Sequence, residues 1–330
     1  MKLNFPQRVV LFLFLALTEA CFGQDPLFSQ FFANPLNLNP GFAGTAELPR
    51  VALNYRDQWP QQSGTYSTYS MSFDGFVRKM NGGLALHFLH DRELDNILST
   101  TSLSVAYSYH VKAGDFSFFS AGLQAGMVYR QLNTENLIFP GMINQLNGDI
   151  TGTLPSGFES KGKFFPDFAV GVVGQTGDYF WGMGVHHLNR PDESLFEGDQ
   201  KGNRPLKYTL HFGGRIHDLH HGLLSRRFTL SPNLLYQQQG SFKQVNLGIY
   251  MIEKSVTFGA WYRNNLSVRP DALIALIGLS KSKFQFGYSF DLTLSKLSGM
   301  SYGSHEISLT FFLGTGNAGG FRERLQIPPI

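Results

Sequence analysis

Phe284-Gln-Phe-Gly-Tyr-Ser-Phe-Asp-Leu-Thr-Leu294 carries an apolar residue at every even-numbered position and a small or polar one between. Successive side chains of a strand point to opposite faces, so this stretch has one greasy face and one wet face. The same alternation recurs at Leu103, Val105, Tyr107 and Tyr109, and again at Val245, Leu247, Ile249 and Met251. A soluble sandwich also alternates, but it hides the apolar face and keeps the exposed face charged. Here the apolar face is rich in aromatics and the other is mostly Gly, Ser, Thr, Asn and Gln. That combination suits a transmembrane antiparallel barrel with lipid outside and polar contents inside.

Fourteen stretches read as strands, near 49–58, 65–75, 82–90, 100–111, 116–130, 164–175, 178–187, 206–217, 226–237, 241–251, 255–263, 270–279, 283–293 and 304–313. Two are atypical: 270–279 is apolar on both faces, and Pro232 interrupts its strand. Every second linker is short, as at 112–115, 176–177, 253–254 and 280–282, whereas 91–99, 131–163, 188–205 and 294–303 are long. Outer-membrane barrels alternate in this way, with tight periplasmic turns and long outside loops, and an even strand count returns both ends to the periplasm.

Composition agrees. Of the 330 residues, aromatics make up 14% and charged residues 15%, the latter well below the roughly 25% of soluble chains. Mean hydropathy is -0.11, unlike a bundle of membrane helices. The net charge of +3 is too small and dispersed to argue for nucleic acid. At the N-terminus, Lys2 and Arg8 precede an apolar run from Val9 to Leu17, and Cys21-Phe22-Gly23 offers small residues before a cut. Residues 1–23 thus read as a secretory signal peptide cleaved between Gly23 and Gln24. A lipoprotein reading would use Cys21, but Thr18 and Glu19 fit such a signal poorly. Cleavage at Gly23 leaves no cysteine, and hence no disulfide or thiol chemistry.

Between the cut and the first strand lies 24–48, too apolar for a solvated tail, with Phe28, Phe31, Phe32 and Phe42, and punctuated by Asn34-Pro35 and Asn39-Pro40. It is expected to tuck against or into the periplasmic mouth of a barrel spanning 49–314. The Gly-rich, then basic stretch 315–330 reads as a periplasmic tail.

These residues also carry a resemblance. Asp25-Pro-Leu-Phe-Ser-Gln-Phe-Phe-Ala-Asn-Pro-Leu-Asn-Leu-Asn-Pro-Gly-Phe-Ala-Gly44, followed by Tyr55-Arg-Asp-Gln-Trp59, resembles the opening of the PorP/SprF family. Tyr302-Gly-Ser-His-Glu-Ile-Ser-Leu309 is similar to its closing strand. The resemblance implies an outer-membrane component of the type IX secretion system, with no enzymatic activity and no cofactor. It would assist export and surface attachment of clients with C-terminal sorting domains, including gliding adhesins in some members. The implied partners are outer-membrane lipid, periplasmic and lipoprotein subunits of the machine, and the client. Loops 131–163 and 188–205 are the candidate client surface. Phe28, Gln30, Asn34, Pro35, Asn39 and Pro40 are candidate periplasmic docking residues. The alternative is a transporter or porin for small solutes, with 24–48 as its plug.

Arg56, Arg130, Arg215, Asp291 and Glu306 fall on the polar faces of their strands. They read either as a selectivity or docking site in the lumen or as structural charge pairs. His186 and His187 are strand neighbours expected on opposite faces, which works against shared metal ligation, and His217, His220 and His221 sit by a turn. Asp91, Glu93, Asp95 and Asn96 supply alternating oxygens that fit calcium or a solvated loop. Trp59, Tyr66, Tyr107, Tyr109, Tyr129, Trp181, Tyr236 and Tyr262 are expected in interfacial girdles. No Ser-His-Asp order or paired carboxylates suggest an enzyme.

Overall fold

A computed structural model describes residues 24–314 apart from 47, 61–63, 115, 135–136, 145–146, 148, 151–159, 196–201, 221–226, 267–268 and 295–301. The signal peptide and the tail therefore lie outside the described residues, as do parts of the two long loops. The strands are β1 (Arg50–Gln58), β2 (Tyr66–Val77), β3 (Gly82–Glu93), β4 (Leu98–Lys112), β5 (Ser117–Leu132), β6 (Lys161–Thr176) and β7 (Tyr179–His186). There follow β8 (Lys207–Gly214, continued by Ile216–His220), β9 (Arg227–Gln239), β10 (Phe242–Glu253), β11 (Val256–Asn265), β12 (Arg269–Lys281), β13 (Phe284–Thr293) and β14 (Ser304–Phe312). Each pairs antiparallel with its neighbours in sequence, and β14 closes on β1 in a register running from Arg50↔Phe312 to Gln58↔Ser304. Closure leaves no strand edge, as a sheet in lipid requires.

The alternation decides which face meets lipid. On β3, Leu84, Leu86 and Phe88 point outward while Ala85, His87 and Leu89 are buried inward. Phe284–Thr293 becomes β13, with Gly287, Ser289, Asp291 and Thr293 inward. Aromatics ring both ends of the wall. Tyr179 stacks on Phe212 at the short-turn end, and Tyr55–Tyr69 and Tyr129–Phe164 pair at the long-loop end. Short turns mark the periplasmic side. Two of the outside connections, 240–241 and 266–268, are as tight as the periplasmic ones.

Pro232 is accommodated by a local break. It has no N–H to give the ladder, and opposite it β8 is interrupted between Gly214 and Ile216.

The N-terminal segment departs from expectation. It does not stop at the periplasmic mouth but runs the height of the lumen. Asp25 lies at the outer end of β9, beside Gln239, and Gly44 lies at the periplasmic end, donating its N–H to Asp74 (2.9 Å). Pro35 starts a single helical turn, α1 (Pro35–Leu38), and Pro40 starts a 3-10 turn (Pro40–Phe42). Asn39 joins them to the wall: its Oδ1 accepts from the Gly41 N–H, and its Nδ2 donates to the carbonyls of Val172 and Met183, both at 3.0 Å.

The segment is drawn inward by an apolar patch inside the barrel. Phe31 packs edge-on to Trp261 at 5.0 Å, Phe32 on Phe180 at 5.5 Å, and Phe42 stacks on His211 at 5.2 Å. Tyr250, Leu235, Ile274 and Leu276 complete the cluster, which is why β12 is apolar on both faces. On the other side, wall glycines make room for its backbone. A Cβ on Gly122 would collide with the Pro40 carbonyl oxygen, one on Gly171 with Asn39 Oδ1, and one on Gly83 with the Ala43 oxygen.

Gly122→Val and Gly171→Val are therefore expected to expel the 39–44 turn while the outer wall still closes. Conductance of the purified barrel in planar bilayers should rise above wild type, whereas Gly141→Ala, with nothing within 4 Å of its Cβ, should leave it unchanged.

Candidate functional site

Two charge clusters fix the segment, and both lie toward the outer end of the lumen. The first joins Arg56 of β1, Arg263 of β11, Asp291 of β13 and Glu306 of β14 around Ser29. Arg56 donates to Asp291 Oδ2 (2.8 Å), Glu306 Oε2 (3.2 Å) and Ser29 Oγ (2.7 Å). Arg263 reaches the same Asp291 oxygen (2.9 Å), Ser29 Oγ (3.1 Å) and Asp271 (2.6 Å). Glu306 accepts the backbone N–H groups of Ser29 (2.6 Å) and Gln30 (3.1 Å), so the last strand holds the segment by its main chain. The Gln30 side chain finishes the contact, donating to the Glu306 carbonyl and accepting from Ser308 Oγ. These four charged side chains are at most 7% exposed. Buried charges of this kind require mutual pairing, which the cluster supplies, while Arg56 Nε and Asp291 Oδ1 are left without a hydrogen-bond partner.

The second cluster is built on Asp25. Its carboxylate accepts from His187 Nε2 (3.0 Å), Arg204 Nη2 (2.8 Å), Lys207 Nζ (3.1 Å) and Gln239 Nε2 (2.9 Å). His187 Nδ1 faces Asp167 at 3.0 Å, and Arg130 and Arg204 both approach Glu193. The segment, the strands β8 and β9 and the residues His187 and Arg204 thus meet at one carboxylate, and β6 and β5 join them through Asp167 and Arg130. Burial alone would lower the His187 pKa, but the Asp25 charge and the bonds to Asp167 and Asp25 outweigh it and the net shift is upward. Arg204 is likewise buried, yet Asp25, Glu193 and Asp167 hold it charged more firmly than usual. Beside the cluster lies a polar cavity of about 70 Å³, with Asp91, Glu93, Arg130 and His186 among its walls.

Arg56, Asp291 and Glu306 are brought together, then, whereas Arg215 stands apart at the break in β8, where its N–H bonds the Asp178 carbonyl (3.0 Å). Phe28, Gln30, Asn34, Pro35, Asn39 and Pro40 are all enclosed in the lumen, and a partner would reach them only if the segment left the barrel. His186 and His187 do not face opposite ways. A left-handed φ of 60° at His187 breaks the alternation, so both rings are buried, with centroids 6.3 Å apart. His217 pairs with exposed Asp178 near the periplasmic turn, and the side chains of His220 and His221 lie outside those described. The four acidic-loop residues diverge. Asp91 turns inward to Thr68, while Asp95 binds the N–H groups of Gly64 and Thr65, which lower its pKa.

Asp25, Ser29, His187, Arg204, Lys207 and Arg263 escaped sequence reasoning as members of a site. Arg263 was findable, because it shares strand parity with the inward Thr257 and Trp261. Asp25 sits in a stretch with no periodicity to read.

The sequence matches the family described as "Type IX secretion system membrane protein PorP/SprF" over residues 20–311. No curated protein matches. Among solved structures, the chain is similar to Acinetobacter baumannii outer membrane protein Omp33 (6% identity, 81% of this chain and 100% of that one, TM-score 0.42). It is also similar to the KdgM porin in complex with disordered oligogalacturonate (8%, 80% and 99%, TM-score 0.37) and to a Rh. blastica porin variant (6%, 81% and 99%, TM-score 0.35).

Arg56→Ala leaves Glu306 buried without its cation and Asp291 with Arg263 alone, and should cost about 3–5 kcal/mol, read as a lower urea midpoint of the detergent-folded barrel. The upward shift at His187 gives a pH dependence of defined sign. Its contribution is complete below the unfolded value of about 6.5 and is lost as pH rises through the higher folded value. Proteolysis within 187–206 should therefore accelerate as pH rises above about 6.5, and His187→Gln should flatten that response.

Proposed function

Because the chain belongs to the PorP/SprF family of type IX secretion system membrane proteins, we propose that it serves that system as a non-enzymatic outer-membrane adaptor and not as a conduit. One observation carries this reading: the lumen is occupied from Asp25 to Gly44 by the chain's own segment, pinned at its outer end by Asp25, lower down by Glu306 and at the periplasmic end by Asp74. A polypeptide in transit has no path past it. Work on the client is then done at surfaces. The long connections 131–163 and 188–205 are the candidate surface that would hold a client with a C-terminal sorting domain. The short periplasmic turns, including the Asp178–His217 pair, would meet periplasmic and lipoprotein subunits. Docking through Phe28, Gln30, Asn34, Pro35, Asn39 and Pro40 would require the segment to emerge, so in the closed barrel their role is to hold the scaffold rigid.

The test is a quantitative comparison of surface and secreted proteins in a strain lacking this chain. Loss of one or a few proteins with C-terminal sorting domains is expected. An unchanged secretome with impaired uptake of small solutes would overturn the reading in favour of a transporter. The purified wild-type barrel should also be silent in planar bilayers, and steady solute conductance would count equally against an adaptor.

A further inference from the structure

At the outer end of the lumen, four donors converge on one carboxylate, and that carboxylate belongs to the chain itself. His187, Arg204, Lys207 and Gln239 are each less than a tenth exposed, and all bond Asp25 between 2.8 and 3.1 Å. Two further acids complete the balance, with Asp167 on the other nitrogen of His187 and Glu193 at 3.9 Å from Arg204. Arg130 also pairs with Glu193, so without Asp25 four cations would share Asp167 and Glu193, with Asp91 and Glu93 in the wall of the adjoining cavity. Whatever replaces Asp25 must bring a carboxylate of its own.

Next to this pocket lies an unmet set of hydrogen bonds. Gln237 and Gln244 face each other across β9 and β10, and Asn246 follows on the same face, opposite Arg263 of β11. They are 7%, 1% and 0% exposed. Gln237 Oε1 and both polar atoms of Gln244 and of Asn246 have no hydrogen-bond partner. The segment crosses this strip, because it is anchored at Gln239 by Asp25 and at Arg263 by Ser29. Between those anchors the segment is Pro26, Leu27 and Phe28, an imide without an N–H and two apolar side chains, and it gives no hydrogen bond to the unpartnered atoms of these amides. A proline and two hydrocarbons are a poor match for a row of buried carboxamides. An extended peptide with free N–H and C=O groups is a good one, since carboxamides both donate and accept.

We propose that the outer half of the lumen is a binding site for an extended polypeptide segment bearing a carboxylate, which residues 25–28 occupy as a tethered stand-in. The carboxylate goes to the His187–Arg204–Lys207–Gln239 pocket, and the backbone lies along Gln237, Gln244 and Asn246. Entry is from outside, where Gln24 is exposed and Asp25 borders the cavity of about 70 Å³. The periplasmic half of the segment, held against Gly83, Gly122 and Gly171, stays in place. The site rests on the adaptor reading only for the source of the peptide, an exported chain at the cell surface.

The experiment uses the purified full-length barrel in nanodiscs, with no secretion machinery, so its failure is separate from that of the adaptor role. The probe is a fluorescent peptide of sequence Gln-Asp-Ala-Gly-Ala-Ser with an amidated C-terminus, which keeps the carboxylate and offers a backbone N–H where the chain has Pro26, alongside the same peptide with Asn for Asp. Asp25→Asn in the barrel withdraws the tethered carboxylate and should raise affinity for the Asp peptide about tenfold or more over wild type. The Asn peptide should bind about tenfold more weakly, and adding Arg204→Gln should abolish the difference. A folded Asp25→Asn barrel that binds neither peptide, or both equally, overturns the proposal. If that variant does not fold, Asn246→Leu in the wild-type barrel decides: a loss of probe binding of about tenfold supports the site, and unchanged binding overturns it.

Discussion

A closed sheet of fourteen strands encloses more space than its inward side chains fill, and in a membrane that space must hold either water or protein. In this chain it holds protein. The segment from Asp25 to Gly44 supplies the missing interior, and much of the wall is shaped for it. Glycines stand where its backbone touches, aromatics where Phe31, Phe32 and Phe42 arrive, and charged residues where its amides and its one carboxylate must be met. A lumen of this kind has a greasy side and a polar side, unlike that of an open channel.

The two charge clusters do different work from the aromatic patch. Burial of Phe31 against Trp261 gives adhesion without fixing position. The convergence of Arg56, Arg263, Asp291 and Glu306 on Ser29 fixes position, because each buried charge tolerates few alternative partners. The Asp25 cluster adds a connection of another sort. It ties the interior to Arg204 and His187 of the loop 187–206, so the outer surface and the lumen are mechanically one object.

The alternation in β13 or β3 makes the barrel legible, and strand parity alone is enough to point Arg56, Asp291 and Glu306 inward. Parity fails where another constraint overrides it. At His187 a left-handed residue at the end of β7 turns inward a ring that alternation would send outward. At Tyr250 and Trp261 the inward face is aromatic, against the habit of polar lumens, because the segment brings its own phenylalanines. The path of that segment is the least legible feature. Asn-Pro pairs and phenylalanines forecast a compact, buried stretch, but nothing in their spacing tells a mouth from a full-length core, and Asp25 finds its partners among residues more than 160 positions away.

The enclosed path of 25–44 also constrains how the barrel is built. β1 starts at the periplasmic end, so the chain that precedes it enters the lumen from that mouth. A sheet that closes around its own leading segment, as a mould is closed on an insert, buries Phe31, Phe32 and Phe42 as the seam forms. The final strand is the one that carries Glu306, whose carboxylate receives the main chain of Ser29 and Gln30. Sealing the seam between β14 and β1 is for that reason also the step at which an empty or misplaced interior would leave a buried acid without its partners.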